Sequence, residues 1–327
     1  MKAGPGAAPD AKRHYFDAVI KCCTYLPTLY NFLVGRALSD QDTSSAEGRA
    51  SVEKRIAHGL GVTPLGLMQP PTYSLLYDES KNSFGKAKTL RCPHYIEDGG
   101  RCGVWRHRES TCATWFCKHV KGSTGYAFWR EGLQALLQNV EINLARWCLM
   151  ELKVSDELLS NAIGSGAWKA DAATLTAEAL DDRINPETYA KTWGEWQGRE
   201  REFYIRCAEL VEKLSWAEVL EICGPEARAH AQLTVKAFRT MTSDEVPAKL
   251  QVGTFELLHM QPGSMRLKTY SEYDPIDVPS AVMDVLPYFD GRPTADVVAE
   301  IAEEHGVKIE HALIQKMVQF DLLVPVK

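Results

Sequence analysis

The chain has 327 residues, a net charge of −6, a hydrophobic content of 45% and a charged content of 24%. This length allows two or three domains with a buried core, and the composition is that of an ordinary soluble globular protein. No apolar stretch reaches the roughly 18 residues that a membrane span requires. We therefore expect no membrane partner, and the negative net charge argues against a nucleic-acid partner for the molecule as a whole.

The amino terminus predicts a cytoplasmic location. The chain begins with MKAGPGAAPDAKRHYF, which lacks the apolar segment of a secretory signal. We expect residues 1–13 to form a disordered tail. In the cytoplasm thiols stay reduced, so clustered cysteines there more often bind metal or act in redox chemistry than form disulfides.

Residues 14–245 are predicted to form a mainly helical domain. Apolar periodicity indicates helices within 14–40, 45–61 and 126–159, the second of them ended by Gly59 or Gly61. Asn185 and Pro186 are typical of a helix start, and further helices are expected at about 215–222 and 225–241. Three cysteines in these helical contexts are expected to be buried free thiols, namely Cys148, Cys207 and Cys223.

Residues 246–327 are predicted to form a separate, small α+β domain. Residues 247–271 indicate two strands joined by a turn at 261–263, followed by helices at 279–289, 294–305 and 308–320. The closing DLLVPVK suits a final strand. The predicted fold class is therefore mainly α, with an irregular cysteine-rich metal-binding insert in the helical domain and a winged-helix-like domain at the carboxyl end.

The cysteine-rich insert, residues 91–119, carries the clearest chemical signal. It has no sustained helical or strand period, so it needs metal or cross-links to stay ordered. Six of the nine cysteines lie in the first 117 residues and are the candidate metal ligands: Cys22, Cys23, Cys92, Cys102, Cys112 and Cys117. The spacing C-x9-C-x9-C-x4-C matches neither the paired C-x2-C zinc pattern nor the ferredoxin pattern.

Thiolates are soft ligands that select zinc, Cu(I) or iron–sulfur clusters. Because six cysteines exceed the four that one tetrahedral zinc requires, we favour an iron–sulfur cluster, of the 4Fe–4S type. A closed zinc site that orders the insert is the alternative. His94 and His119, each two residues after a cysteine, could complete a mixed site, or could simply be exposed.

The insert is locally basic. Residues 85–130 contain nine lysines and arginines against three acidic residues, and nearby cations lower thiol pKa values. This charge indicates compensation of thiolates, although a solvated basic loop or a site for an anionic substrate would have the same composition. Arg108, between Cys102 and Cys112, is the candidate cofactor-binding side chain.

The insert resembles the YkgJ-type family of zinc- or iron-chelating cysteine-cluster proteins over residues 20–119. The matching positions are Cys22-Cys23, Cys92-Pro93, Cys102-Gly103-Val104-Trp105, Arg108 and Cys112. Two features depart from the family: Glu109 stands where it usually has proline, and the cysteine lead-in is reduced to one pair. One branch of the family, the flagellin lysine N-methylases, implies a cluster and S-adenosylmethionine, but no separate methyl-donor motif is visible in this chain.

The carboxyl-terminal domain resembles the PqqD-like winged-helix units that bind leader peptides. The matching features are the strand pair, the segment 288–294 (YFDGRPT), the following Val297-Val298-Ile301, and Phe320-Asp321-Leu322-Leu323. Residues 275–327 carry nine acidic and four basic residues, which argues against DNA binding and hence against a metal-sensing regulator. The charge favours a peptide or protein partner, or a purely structural cap. If a peptide binds, strand addition at the sheet edge is the expected mode.

These features favour an iron–sulfur oxidoreductase or a peptide- or protein-modifying enzyme, acting on a peptide recruited by the carboxyl-terminal domain. The alternative is a zinc-stabilised interaction module without catalysis. No phosphate-binding glycine loop, G-x-S-x-G or H-E-x-x-H motif is found in the sequence.

Overall fold

The computed structural model describes residues 17, 19–79, 84–164 and 183–326. In these ranges the chain is mainly helical, with small antiparallel sheets. The α-helices are α1 Asn31–Ser39, α2 Ala46–His58, α3 Pro71–Glu79, α4 Ser110–Thr114, α5 Gly122–Tyr126, α6 Ala135–Glu151, α7 Asp156–Gly164, α8 Pro186–Trp193, α9 Glu200–Val211, α10 Trp216–Thr242, α11 Ser280–Val285, α12 Thr294–His305 and α13 His311–Gln319. The strands are β1 Leu29–Tyr30, β2 Val62–Thr63, β3 Gly66–Leu67, β4 Tyr95–Ile96, β5 Arg101–Cys102, β6 Lys249–Val252, β7 Glu256–Gln261, β8 Ser264–Lys268, β9 Ile276–Pro279, β10 Asp290–Pro293 and β11 Leu323–Pro325. The expected tail, residues 1–13, lies outside the described residues.

Local signals placed several helix ends correctly. α2 ends at Gly59, which adopts a left-handed φ of 78°. The Asn185 side chain accepts the N–H of Thr188 at 3.0 Å and caps α8. The predicted helices at 215–222 and 225–241 are both present within α10, which is interrupted at Gly224, where φ is 78° and ψ is −165°. The closing strand is also present, as β11.

Two predicted elements differ from the structure. The helical pattern over 126–159 is interrupted, because Lys153 takes a positive φ of 52° and Ser155 caps α7 by accepting the N–H of Leu158 at 3.3 Å. Leu149 and Leu158 are buried on either side of this break. The apolar pattern therefore continues across it and does not reveal that the helix ends there. Residues 247–271 contain three strands rather than two, because the chain also turns between β6 and β7.

Contacts along the chain divide it into two compact units. Among the described residues, the first consists of those up to 113 together with those in 137–228, and the second of 114–136 together with those from 229 onward. Residues 114–136 and 229–245, which the sequence assigned to the helical domain, are thus grouped with the carboxyl-terminal strands. No helix within the described ranges is long and apolar enough to cross a bilayer.

The core of the first unit forms where α1 packs against α9. Trp193, Phe203 and Tyr204 are fully buried there. The indole N–H of Trp193 donates to the carbonyl oxygen of Val62 at 3.1 Å, and the Tyr204 hydroxyl donates to that of Thr63 at 2.7 Å. These bonds satisfy the polar ends of the two side chains and hold the β2–β3 turn against the helices.

The second unit contains two three-stranded antiparallel sheets, in the orders β10-β6-β11 and β7-β8-β9. Helices α11, α12 and α13 supply the rest of its core. The fully buried side chains in it are Leu250, Leu267, Phe289, Val297, Ile301 and Leu323. Strand β7 is an edge strand, and all six of its residues are exposed.

The close approach of α1 to α9 leads to a stability prediction. A Cβ atom at Gly35 would collide with the carbonyl group of Tyr204 and the side chain of Ala208. We expect Gly35→Ala to lower the free energy of unfolding by about 1–3 kcal/mol, because the helices must separate. Denaturant titration measures this. The control is Arg36→Ala, which removes a 3.9 Å contact with Glu212 and a cation–π contact with the Phe32 ring but leaves the approach of the two helices unchanged; an equal loss in both variants would contradict the prediction.

Candidate thiol centre

Five of the six predicted ligands lie in the first unit and are called the thiol centre here. They are Cys22 and Cys23 in the turn of residues 19–24, Cys92 after the turn Lys88–Leu90, Cys102 in β5 and Cys112 in α4. Cys117 belongs to the second unit, where it is half-buried. All nine cysteines are free thiols, and Cys148, Cys207 and Cys223 are buried as predicted.

Backbone contacts draw the separate cysteine segments together. The N–H of Cys92 donates to the carbonyl oxygen of Cys23 at 2.8 Å. Antiparallel pairing of β4 with β5 sets Cys102 opposite Tyr95, three residues after Cys92. The Cys92 and Cys102 thiols both act electrostatically on Cys23 and on Cys112. The fold therefore gathers five thiols that the chain supplies from positions as far apart as 22 and 112.

Helix α2 forms one wall of this region. Gly48 and Ser51 lie on one face of the helix, because residues three apart are neighbours. Gly48 packs against the backbone of Gly103, where a Cβ atom would collide with the Gly103 carbonyl. The Ser51 hydroxyl donates to the Gly48 carbonyl at 2.7 Å and lies 2.8 Å from His94 Nδ1. The small residues of α2 thus let the helix reach the cysteine loop directly.

Glu109 orients Cys112. Its carboxylate accepts the N–H groups of Thr111 and Cys112, both at 2.6 Å, and so caps the start of α4. A carboxylate at a helix start satisfies free N–H groups and interacts favourably with the helix dipole. This cap accounts for a glutamate at the position where the YkgJ-type pattern has proline.

A second buried carboxyl group adjoins this cap. The Ser110 hydroxyl lies 2.7 Å from Glu141 and 3.3 Å from Glu109. Burial, assisted by the Glu109 charge, raises the pKa of Glu141 to about 8, although the Ser110 bond opposes the shift. Near neutral pH Glu141 therefore holds its proton.

The protonation of the thiols is set mainly by burial. Burial raises the pKa of Cys92 to about 12 and also raises that of Cys102. Burial and the neighbouring Glu109 carboxylate raise the pKa of Cys112. The Cys22–Cys23 pair differs, because the Cys23 thiol donates to Cys22, which lowers the pKa of Cys22 and raises that of Cys23. Cys22 is thus the thiol of the centre whose environment favours the thiolate.

Most arginines of the cysteine loop pair with carboxylates. Arg101 pairs with Glu47, Arg91 pairs with Glu97, and Arg106 lies 2.8 Å from Asp42. His107 lies 2.9 Å from Asp40. The acidic residues at 40, 42 and 47 precede their partners by more than 50 positions, so a count within residues 85–130 omits them. The fold therefore neutralises much of the positive charge that the sequence pattern associated with the thiolates.

Arg108, the predicted cofactor-binding residue, lies at the surface of the site. Its guanidinium stacks 3.5 Å above the ring of the exposed Trp105, and its Nε donates to the Trp105 carbonyl at 3.1 Å. Its charge helps to lower the pKa of Cys22, and it opposes the rise that burial causes in the pKa of Cys102. Arg108 is therefore close enough to stabilise thiolates from the solvent side.

The two candidate histidines occupy different units. His94 lies beside the thiol centre and is 1% exposed; burial and the Arg55 charge lower its pKa to about 3. His119 lies in the second unit and packs edge-on against Tyr126 and Tyr270. Its backbone N–H donates to Asp274, and burial lowers the pKa of its ring. Both imidazoles are neutral at physiological pH.

Sequence reasoning missed Ser51, Arg55 and Glu141. Ser51 and Arg55 are four residues apart on α2, and Glu141 lies on the inward face of α6. The signal that could have found them is a polar or charged side chain on the buried side of an amphipathic helix. Among the described residues, no three His, Cys, Asp or Glu side chains are arranged to hold a single metal ion.

The buried Glu141 leads to a pH prediction. A carboxyl group whose pKa rises from 4.5 to about 8 on folding contributes stability that is complete below pH 4.5 and is lost as the pH rises through 8. We expect Glu141→Gln to be more stable than the wild type at pH 8.5 by about 2–4 kcal/mol, with little difference at pH 4.5. Urea titrations across this range measure the effect. Glu151→Gln, at the exposed end of α6, should follow the wild type; parallel curves for wild type and Glu141→Gln would contradict the prediction.

No protein-family model, curated protein or solved structure matches the chain. The resemblances to YkgJ-type and PqqD-like proteins therefore stay predictions from their motifs. The interpretation of the site rests on the geometry and chemistry of its own residues.

Proposed function

We propose that the chain is an iron–sulfur protein whose cluster, of the 4Fe–4S type, is bound by thiolates of the thiol centre. The observation that carries this proposal is the gathering of five thiols from separate stretches of one unit. Such a cluster is held by four cysteine thiolates. Cys92, Cys102 and Cys112 are the proposed core ligands. Cys22 is favoured as the fourth, because the hydrogen bond from Cys23 stabilises its thiolate.

The chemistry of these side chains fits a thiophilic group. All five donors are soft sulfur atoms, and the Glu109 carboxylate beside them is already engaged as the cap of α4. Burial keeps Cys92, Cys102 and Cys112 protonated on their own. A bound cluster supplies the positive charge that makes them thiolates, so binding releases protons and strengthens as the pH rises.

The number of donors favours a cluster over the zinc alternative. One tetrahedral zinc ion takes four ligands, whereas five thiols lie in this unit. Cys117, in the second unit, stays a predicted ligand that this assignment does not require.

The proposed role is redox or enzymatic, in the cytoplasm, on a peptide or protein recruited by the carboxyl-terminal residues 246–327. Strand β7 supports a peptide partner, because an exposed edge strand offers free backbone groups for strand addition. Leu257, Leu258 and Met260 give this edge an apolar surface. The winged-helix-like and PqqD-like assignments belong to this proposal.

Metal analysis tests the cluster. Full-length protein purified without oxygen is expected to be brown, with iron and sulfide in a 1:1 ratio. Cys92→Ala and Cys112→Ala should each lose most of the iron and sulfide, because a ligand is removed. Iron and sulfide assays with visible absorbance measure this.

The control for the cluster test is Cys223→Ala, which removes a buried thiol whose Sγ lies 3.9 Å from the carbonyl oxygen of Val140 and which is not among the proposed ligands. It should keep the iron and sulfide content of the wild type. A colourless protein with stoichiometric zinc, unchanged by anaerobic reconstitution with iron and sulfide, would establish the zinc-stabilised module instead.

Peptide display tests the partner. Random peptides are selected on immobilised full-length protein, and the enriched peptides are titrated against variants. We expect Met260→Lys to weaken their binding by about tenfold or more, because a charge at an edge strand opposes strand addition. Leu313→Lys, at an exposed apolar position on α13 away from β7 in the sequence, should bind within about twofold of the wild type. Equal weakening of peptide binding in both variants would show that the peptides do not bind at β7.

A further inference from the structure

Arg55 is a buried cation without an anionic partner in the described structure. It is 8% exposed, and one nitrogen of its guanidinium, Nη2, donates to the carbonyl oxygen of Met68 at 2.6 Å. The other, Nη1, is buried and has no hydrogen-bond partner among the described residues. None of the ion pairs in these ranges includes Arg55, and the acidic groups that act on it are the thiol of Cys92 and the phenol of Tyr204.

Neither of these neighbours is a carboxylate. The Tyr204 hydroxyl donates its proton to the carbonyl oxygen of Thr63 at 2.7 Å, and the Cys92 side chain is buried. An arginine cannot escape burial by losing its proton, as a lysine can. A buried charge without a counter-ion is strongly unfavourable. A core that keeps such a cation therefore implies an anion beside it in the working protein.

The anion belongs at the Cys92 end of the thiol centre. Arg55 lies one turn after Ser51 on the face of α2 that contacts the cysteine loop, and Ser51 contacts His94, two residues after Cys92. Because Ser51 gives its proton to Gly48, His94 Nδ1 must donate to Ser51. The other ring nitrogen of His94, Nε2, is buried and has no hydrogen-bond partner among the described residues.

Other cations near the centre are placed differently. Lys21 is exposed and donates to the carbonyl oxygen of Gly100 at 3.1 Å. Arg108 is stacked on the exposed Trp105, where water screens its charge. Arg55 acts from the buried side of the site, where the effective dielectric is low and a charge has its largest effect.

We propose that Arg55 is the buried counter-cation of the thiolate centre, pairing through Nη1 with the negative charge that a metal or cluster ligated by Cys92 carries. This inference rests on the proposed function and adds a positioning residue to it. Arg55 contributes no ligand and does not take part in a reaction. Its positive charge stabilises the thiolate form and, for a cluster, favours the reduced state, which carries one more negative charge.

Two substitutions of Arg55 in the full-length protein separate its charge from its shape. Arg55→Met removes the charge, and Arg55→Lys keeps it when an anion is bound beside it, because an opposite charge favours the protonated ammonium. Lys54→Met, an exposed position on the same helix, removes an equal charge outside the site.

We expect Arg55→Met to weaken metal retention, measured by competition with a chelator, by about 10- to 100-fold. Its cluster midpoint potential should also fall, whereas Arg55→Lys should keep the wild-type potential and Lys54→Met should match the wild type in both measurements.

In the metal-free protein, Arg55→Met is expected to change the melting temperature in the opposite direction from its effect with metal bound. A purely structural arginine would not produce this reversal. After chelation, Arg55→Met should melt at a higher temperature than the wild type, by about 2 °C or more, because an unpaired buried charge has been removed. With metal bound, Arg55→Met should melt at a lower temperature than the wild type. Both melting curves are measured by differential scanning fluorimetry.

The outcomes separate this inference from the proposed function. Zinc in place of iron and sulfide contradicts the cluster but leaves the retention and melting tests of Arg55 intact. Metal retention in Arg55→Met equal to that in Lys54→Met overturns the inference while the cluster stands. If the wild type holds no metal, the proposed function is wrong, and a lower melting temperature of metal-free Arg55→Met then overturns the inference as well.

Discussion

The contact between Gly48 of α2 and the backbone of Gly103 is the constraint on which the thiol centre depends. Neither position accommodates a Cβ atom, since each would collide with the other segment. This close approach sets Ser51 against His94 and aligns Arg55, one turn later, with the Cys92 end of the loop. The cysteine loop has only the short β4–β5 pair and one-turn helices of its own, so the rigid helix supplies the surface on which it is ordered.

Electrostatics at the centre follow from two different arrangements of charge. On the solvent side, Arg101 and Arg106 pair with Glu47 and Asp42, so the basic character of the loop is largely neutralised. On the buried side, Arg55 has no carboxylate partner among the described residues. The same low dielectric that keeps the thiols protonated also makes Arg55 costly without an anion. A bound group with negative charge and thiolate ligands would relieve both conditions together.

Sequence patterns predicted the elements that depend on neighbouring residues. The end of α2 at Gly59, the cap of α8 by Asn185 and the closing strand β11 follow local rules of glycine conformation, side-chain capping and apolar pattern. The break between α6 and α7 was missed because both flanks are buried, so the apolar period continues across it. The grouping of 114–136 with the carboxyl-terminal residues depends on contacts between distant segments, which local patterns do not report.

By itself the sequence determined the inventory of the site: six clustered cysteines, the basic loop around them, and a chain that is mainly helical with small antiparallel sheets. Only the tertiary structure decided which of these residues share one unit, separating Cys117 from the other five. It also decided which charges are neutralised, and it placed Arg55 and Glu141 in the interior beside the centre. The physical reason is that burial and long-range pairing set pKa values and the cost of a charge, and neither is a property of residues adjacent in the chain.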